Sequence, residues 1–181
     1  SRKPEPCEAV AKGIRDAGGE AIVIPCNISR RDEVEALVAG TVKQWGRVDV
    51  LVANAAVNPA YGPMAELTDE AFDKIINSNV KSTLWLCNLV MPGMAERGGG
   101  AVVIVSSIGG LKGSPVIGMY GVSKAADFAL CRALAVEWGP RNVRINCIAP
   151  GLVKTDFARA LWEDPKNLAK READTPLRRI G

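Results

Sequence analysis

The stretch Ala101-Val-Val-Ile-Val-Ser-Ser107 joins a run of five apolar residues directly to two serines. A short run that is apolar at every position is typical of a strand buried on both faces of a parallel sheet. Segments with helical periodicity lie before and after it. The stretch therefore predicts a strand between two helices, with two hydroxyl groups at the point where the strand ends.

The same alternation of short apolar runs and longer helical periods extends along the chain. We predict strands over residues 21–24, 49–52, 101–105 and 143–148, and helices over residues 5–17, 32–45, 68–94 and 120–138. Thr68 is expected to cap the third helix, and Pro92 to perturb its last turn. This order predicts an α/β fold, a doubly wound parallel sheet of the Rossmann type, in a single domain over residues 1–181.

The composition narrows the classes of function. The chain has 181 residues, of which 48% are apolar and 24% charged, and its net charge is +3. The weak charge predicts no nucleic-acid partner, and the apolar runs are too short to cross a membrane. The absence of histidine excludes Ser-His-Asp and Cys-His catalysis and disfavours a zinc site, so no metal is expected.

The cysteines and the first residues bear on the compartment. Five cysteines occur without any Cys-x-x-Cys pair, and most lie in apolar stretches where reduced thiols are usual. The first residues are polar and predict no signal peptide. We therefore expect a cytoplasmic protein.

Polar or small residues follow three of the predicted strands. They are Asn54-Ala55-Ala56, Ser106-Ser107 and Pro150-Gly151. Ligands of doubly wound sheets bind at the carboxyl ends of the strands, so we expect the site at this edge. The pocket would be lined by residues 57–63, residues 108–117 and the segment after Thr155, with Phe157, Leu161 and Trp162 as an apolar lid.

Tyr120-Gly-Val-Ser-Lys124 carries the candidate chemistry. Residues four apart share a helix face, so the phenol and the ammonium would point into the same cleft. A nearby cation lowers the pKa of a phenol, which would let Tyr120 act as a general acid or base. Ser107 could hold a substrate oxygen beside it. The alternatives are a surface Tyr–Lys pair and serines that only form a turn, as Ser106 could do.

Two asparagines are further candidates. Asn79 lies inside the long helix predicted over residues 68–94, although asparagine is a mediocre helix former. Taken alone, solvent exposure is its simpler interpretation. Asn54 precedes two alanines whose small side chains would let a ligand approach the backbone. Tight packing of a turn explains these alanines equally well.

Taken together, these motifs resemble the short-chain dehydrogenase/reductase family in order and spacing. They are Asn54-Ala55-Ala56, Asn79, Ser107, Tyr120-x-x-x-Lys124 and Pro150-Gly151-x-x-x-Thr155. The resemblance implies that Tyr120 is the general acid/base and that Lys124 lowers its pKa and binds the nicotinamide ribose. It also implies that Ser107 orients the substrate and that Asn79 helps to hold a water in a proton relay.

The resemblance also implies a nicotinamide cofactor site. Asn54 would lie beside the adenosine ribose, and the segment from Pro150 and Gly151 to Thr155 would contact the carboxamide through the Val153 backbone and the Thr155 hydroxyl. The place near the adenine, where the family usually has an acidic residue, is taken by Asn27 and Ile28.

The opening residues Ser1-Arg2-Lys3 resemble the segment that follows the second strand in NADP-preferring members. Arg2 and Lys3 would neutralise a ribose 2′-phosphate, whereas an NAD enzyme usually carries an acid there. The resemblance therefore implies NADP, with NAD less favoured. A merely polar N-terminus is the alternative.

Within the family, three segments resemble the carbonyl/retinol reductase branch, which acts on ketones, aldehydes or secondary alcohols. They are Asn54-Ala-Ala-Val-Asn-Pro59, Arg97-Gly-Gly-Gly100 and Pro140-Arg-Asn142. A 3-oxoacyl-acyl-carrier-protein reductase remains an alternative, with Arg144, Arg178 and Arg179 as a basic surface, as does a non-catalytic binding protein. The four-residue Tyr–Lys spacing disfavours the enoyl reductases of the family, whose spacing is longer.

The family's first strand, its glycine-rich phosphate turn and its last strand have no counterpart in the chain. We therefore expect a fragment of a longer protein, because a sheet without its central strand would expose two apolar edges. The resemblance further implies a homotetramer or a homodimer formed through the helices predicted over residues 68–94 and 120–138.

Overall fold

Three parallel strands form the sheet in the computed structural model, which describes residues 2–181. They are β1 (Val50–Ala53), β2 (Gly100–Val105) and β3 (Val143–Ile148), in the spatial order β1-β2-β3. Val52 is paired with Val103, and Ile104 is paired with Cys147. Helices separate the strands along the chain, so the predicted α/β fold with a parallel sheet is confirmed.

The helices begin and end close to the predicted boundaries. They are α1 (Pro4–Asp16), α2 (Arg31–Trp45), α3 (Asp69–Ile76), α4 (Ser82–Glu96), α5 (Gly118–Trp138), α6 (Arg159–Trp162) and α7 (Pro165–Asp174). Within residues 2–181, no helix combines the length and the apolar character that a membrane span needs.

The predicted strand over residues 21–24 is wrong. These residues belong to a non-helical segment that forms no strand ladder. A strand is defined by hydrogen bonds to a neighbour, and no strand of residues 2–181 runs beside this segment. Apolar character alone predicted the strand, but pairing decides whether one forms.

Burial alternates along each strand, because successive side chains point to opposite faces. Val102 and Ile104 on β2 and Val143 and Ile145 on β3 are buried. They pack with residues of α4 and α5, including Cys87, Val90, Met91, Met94, Cys131, Leu134 and Trp138. On the other face of β1, Val50 and Val52 are more than half exposed. The core therefore lies between the sheet and the pair α4 and α5.

Gly100 is required for the close packing of this core. A Cβ atom at this position would lie 2.6 Å from Cγ and Sδ of Met94, which is fully buried. The first residue of β2 therefore accepts the α4 side chain only because it has no side chain of its own.

The helix predicted over residues 68–94 contains a break in its regular hydrogen bonding. Thr68 caps it as predicted, accepting a hydrogen bond from the Ala71 amide at 3.2 Å. A π-helical turn over Asn77–Lys81 separates α3 from α4, and α4 continues past Pro92 to Glu96. Such π turns occur frequently at functional sites.

Candidate active site

The end of β2 meets the first half of α5. Ser106 is buried, and its hydroxyl donates a 2.7 Å hydrogen bond to the Lys124 carbonyl. Ser107 has extended backbone, and its hydroxyl oxygen accepts a hydrogen bond from the Gly109 amide at 3.0 Å. Ser106 therefore ties the strand to the helix, whereas the proton of the Ser107 hydroxyl stays available for another acceptor.

Tyr120 lies in the first turn of α5, where its ring packs at 6.3 Å between centroids from that of Phe157. Burial raises the pKa of Tyr120, and an interaction with the Ser107 side chain lowers it. The charges of Asp127 and Tyr61 raise this pKa further. Tyr120 and Ser107, thirteen residues apart in the sequence, are therefore brought together at the edge of the sheet.

Lys124 is buried, with only 3% of its surface exposed. Its Nζ donates to the Val105 carbonyl at 2.9 Å and to Oδ2 of Asp127 at 3.1 Å. The same nitrogen lies 5.9 Å from the centroid of the Tyr120 ring. Lys124 is therefore not part of a surface pair: its ammonium is buried and is stabilised there by two acceptors.

The predicted lowering of the Tyr120 pKa by Lys124 is wrong for the protein without ligands. The pKa of Tyr120 is raised above its ordinary value, with burial as the largest cause. The physical reason is first that burial disfavours the charged phenolate, and second that Asp127, which pairs with the ammonium, adds its own negative charge. The net field of the pair at the phenol is therefore weaker than that of a lone cation.

Asp127 was missed by the sequence interpretation. It is 1% exposed, and burial raises its pKa while Lys124 lowers it. A signal was present, because Asp127 is an acidic residue within the apolar run Ala125-Ala-Asp-Phe-Ala129 and lies three residues after Lys124. That spacing places the two side chains on one helix face.

Asn79 lies in the π-helical turn and is 1% exposed, so the interpretation as a solvent-exposed residue is wrong. Its Oδ1 accepts from the Val57 amide at 2.8 Å, and its Nδ2 donates to the Val57 carbonyl at 3.0 Å and to the Ser123 hydroxyl at 3.0 Å. The Ser123 hydroxyl in turn donates to the Tyr120 carbonyl at 2.7 Å. Asn79 thus connects the loop after β1 to the turn of α5 that carries Tyr120.

The segment after β3 lies against the loop that contains Ser107. The Pro150 carbonyl accepts a 3.0 Å hydrogen bond from the Ile108 amide, and Gly151 is exposed. Val153 is 42% exposed, and its carbonyl accepts a 3.5 Å hydrogen bond from the Thr155 hydroxyl. Of the predicted cofactor contacts in this segment, Pro150 therefore lies next to the Ser107 loop, and Gly151, Val153 and Thr155 are exposed.

The remaining predicted cofactor residues lie elsewhere on the chain. Asn54 is exposed directly after β1, and Ile28 is half-buried. Oδ1 of Asn27 accepts a hydrogen bond from the Ser29 amide at 3.2 Å. Arg2 and Lys3 are exposed immediately before α1, and Ser1 lies outside the described residues.

A cavity of about 300 Å³ opens beside the first turn of α5. Its lining includes Tyr61, Met64 and Leu67 from the segment after β1, Val116 just before α5, and Gly118 and Met119 at the start of α5. The Gly62 amide donates to the Val116 carbonyl at 2.9 Å, which joins the two loops. The cavity therefore includes parts of two of the three segments predicted to form the pocket.

The donor set around Lys124 is compatible with a nicotinamide ribose. An ammonium has three N–H donors, and the described residues supply two close acceptors, Val105 and Asp127. One donor is left for a ligand hydroxyl next to Tyr120. The site can therefore donate hydrogen bonds from Ser107, Tyr120 and Lys124 to ligand oxygens at the carboxyl end of β2.

Comparison with known proteins gives concordant results. A family model described as enoyl-(acyl carrier protein) reductase matches residues 2–181. The chain is 42% identical, over all of its 181 residues, to dehydrogenase/reductase SDR family member 4 of Bos taurus, and it spans 65% of the length of that protein.

Two solved structures are similar over nearly the whole chain. A 7α-hydroxysteroid dehydrogenase complexed with NADH and 7-oxo glycochenodeoxycholic acid is 31% identical, with a TM-score of 0.89 over 96% of this chain and 67% of that one. An NAD⁺-bound xylitol dehydrogenase is 27% identical, with a TM-score of 0.91 over 99% of this chain and 75% of that one.

Proposed function

The chain belongs to the short-chain dehydrogenase/reductase family, and we propose that it is the catalytic part of an oxidoreductase that transfers a hydride between NADP(H) and a ketone, an aldehyde or a secondary alcohol. The observation that carries this proposal is the burial of Lys124 between the Val105 carbonyl and Asp127, beside Tyr120. Burying an ammonium costs free energy. A Tyr–Lys pair without a function at the surface would not need this burial.

When bound, the nicotinamide supplies the hydride chemistry at the carbonyl carbon. The Ser107 hydroxyl, whose oxygen is already held by the Gly109 amide, donates its proton in a hydrogen bond to the substrate oxygen. Tyr120 transfers a proton to that same oxygen in reduction and removes it in oxidation. Lys124 binds the ribose with its remaining N–H, and the positive charge of the oxidised nicotinamide would favour the phenolate once the cofactor is bound.

Asn79 has a supporting part in this proposal. Its side chain is fully engaged with Val57 and Ser123, so it holds the loop after β1 against α5. Its backbone carbonyl accepts a hydrogen bond from the Thr83 hydroxyl at 3.1 Å and is the atom that would hold a relay water. Its proposed role in the relay therefore depends on the backbone, whereas the side chain fixes the position of that backbone.

The proposed preference for NADP depends on Arg2 and Lys3. Both are exposed immediately before α1, and their positive charges would attract a 2′-phosphate. The two solved relatives named above carry NADH and NAD⁺ in their descriptions, so those names do not favour NADP. The ratio of kcat/KM for NADPH and NADH measures the preference, and Arg2→Glu should shift that ratio towards NADH.

The alternatives within the family have weaker support. An enoyl reductase is disfavoured by the four-residue Tyr–Lys spacing, although the matching family model carries that description. For a carrier-protein reductase, Arg144, Arg178 and Arg179 are exposed, but the Arg178 side chain donates to the Ala173 carbonyl within its own segment. A carbonyl reductase acting on small-molecule substrates therefore remains the proposal.

The proposal extends to the oligomeric state of the protein and to its compartment in the cell. Phe72 on α3, Leu89 on α4 and Val122 and Val136 on α5 are exposed apolar residues, which supports a homodimer or homotetramer formed through these helices. The five cysteines are all free, which supports a reducing, cytoplasmic compartment.

The test uses the full-length protein with NADPH and, separately, NADH, in the presence of a panel of ketones and aldehydes. We expect the wild-type protein to consume NADPH with at least one carbonyl compound. Tyr120→Phe should abolish turnover and keep cofactor binding, because the phenol supplies the proton but the ring is retained. Turnover of Tyr120→Phe at the wild-type rate would contradict the mechanism.

A further inference from the structure

Asp127 is a buried carboxylate that the proposed mechanism does not use. It lies on α5 with 1% of its surface exposed, and its Oδ2 is 3.1 Å from Nζ of Lys124. Its Oδ1 is buried without a hydrogen-bond partner among the described residues. A buried carboxylate with an unsatisfied oxygen is costly, so its retention calls for a function besides stability.

The geometry around Lys124 indicates one such function. The Val105 carbonyl holds the ammonium from the end of β2, and Asp127 holds it from the same helix, one turn further on. Two acceptors in different directions fix both the position of Nζ and the direction of its third N–H. Without Asp127, the four-carbon side chain would be anchored by a single carbonyl.

The charges around Tyr120 indicate a second effect of the same residue. The charges of Asp127 on α5 and of Tyr61 from the loop after β1 raise the pKa of Tyr120, and the Ser107 side chain lowers it. Nζ of Lys124, which is 3.1 Å from Oδ2 of Asp127, lies 5.9 Å from the centroid of the Tyr120 ring. On the neighbouring strand β3, the Cys147 thiol also senses Lys124 and Asp127. Asp127 therefore supplies a negative charge that disfavours the ionised form of the phenol.

We propose that Asp127 is a positioning residue of the hydride-transfer site, which directs the third N–H of Lys124 to the nicotinamide ribose and places a fixed negative charge near Tyr120. This inference rests on the proposed function for the ribose, but the effect on Tyr120 belongs to the protein alone. The two parts are therefore separable by experiment.

The decisive variant is Asp127→Asn in the full-length protein, because it keeps the shape and one oxygen acceptor but removes the charge. We expect the titration midpoint of Tyr120 to fall, because the negative charge of Asp127 that raises the pKa of Tyr120 is removed. The measurement is ¹³C NMR of tyrosine labelled at Cζ, without cofactor. The Tyr120 resonance is assigned by its loss in Tyr120→Phe.

Asp127→Glu is the matched control, since it keeps the charge but moves the carboxylate. We expect its Tyr120 midpoint to stay close to the wild-type value. In Asp127→Asn, KM for the nicotinamide cofactor should rise by a larger factor than kcat falls, because the third N–H loses its direction. Thermal unfolding of each variant verifies that the fold is retained.

The outcomes separate this inference from the proposed function. If the wild-type protein consumes neither cofactor, the proposed function fails, but a lower Tyr120 midpoint in Asp127→Asn still supports the electrostatic part. An unchanged or raised midpoint in Asp127→Asn overturns that part. An unchanged KM for the cofactor in an active Asp127→Asn protein overturns the positioning part.

Discussion

The buried centre of the candidate active site and the C-terminal segment of the chain are held in place by different kinds of contact. In the centre, Asn79, Lys124 and Asp127 are each at most 3% exposed. Asn79 and Lys124 form hydrogen bonds to distant parts of the chain, and Lys124 also binds Asp127 on its own helix. The C-terminal segment, residues 155–181, is mostly exposed. Two backbone hydrogen bonds hold its end: the Gly181 amide donates to the Leu152 carbonyl at 3.0 Å, and the Lys154 amide donates to the Gly181 carbonyl at 2.8 Å.

The difference suits two tasks: the buried centre is preorganised for proton transfer, and the exposed C-terminal segment can adapt to a ligand. A proton-transfer group needs its neighbours fixed before the substrate arrives, and buried, cross-linked side chains achieve this. A segment with few buried contacts opens at a low free-energy cost, as expected for a cover over a ligand pocket. We therefore expect substitutions in the centre to affect stability and chemistry together, and substitutions in the C-terminal segment to leave stability nearly unchanged.

The largest effect should come from Lys124→Met. This change leaves Asp127 buried without its cation, and breaking a buried pair in this way lowers the free energy of unfolding by about 3–5 kcal/mol. Urea unfolding measures the loss, and turnover should be abolished because the ribose donor is missing.

A second variant tests the cause of that loss. Lys124→Met combined with Asp127→Leu removes both charges, so most of the lost stability should return while turnover stays absent. If the double variant is less stable than Lys124→Met, the charge of Asp127 is not the source of the loss.

An intermediate effect is expected for Asn79→Ala, which leaves the amide and carbonyl of Val57 without their side-chain partner. Unsatisfied buried polar groups cost about 1–3 kcal/mol in the free energy of unfolding. Asn167→Ala is the matched control, because Asn167 is exposed on α7 in the C-terminal segment and its loss should cost less than about 0.5 kcal/mol. If both variants lost the same free energy of unfolding, the centre of the site and the C-terminal segment would not differ in how firmly they are held.

The sequence predicted the parts of the fold that depend on local pattern. Hydrophobic periodicity predicted the three strands that form within residues 2–181 and the helix that carries Tyr120, and the side chain of Thr68 predicted the start of α3. Residues 21–24 have the same apolar pattern but form no strand, because pairing with a neighbour is a property of the whole sheet.

The candidate site could be predicted only to the level of motifs. The spacing of the motifs predicted that Ser107, Tyr120 and Lys124 lie at one edge of the sheet. It did not predict which residues bury them. The burial of Asn79 depends on Val57, which is 22 residues earlier, and no local pattern encodes that contact. The raised pKa of Tyr120 likewise depends on burial, which the sequence underestimated relative to the charge of Lys124.

A smaller effect, visible only as a dependence on pH, is expected in the core beneath the site. Burial, with a contribution from Cys131, raises the pKa of the Cys87 thiol from 9.0 to about 12. The unfolded chain therefore loses this proton near pH 9 while the folded protein keeps it, so stability is lost as pH rises from 9 towards 12. Between pH 8 and pH 10, the loss due to Cys87 should be about 1.4 kcal/mol.

Comparison with Cys87→Ala isolates this contribution, since other groups titrate equally in both proteins. The wild type should exceed the variant in free energy of unfolding at pH 8, because the variant leaves a cavity in the core. That gap should narrow at pH 10, because only the wild type must keep a buried thiol protonated against the solvent. Urea unfolding at the two pH values measures this difference in free energy of unfolding. A difference that stays constant would mean that the Cys87 thiol is hydrated in the folded protein, and that the core is packed more loosely than its contacts indicate.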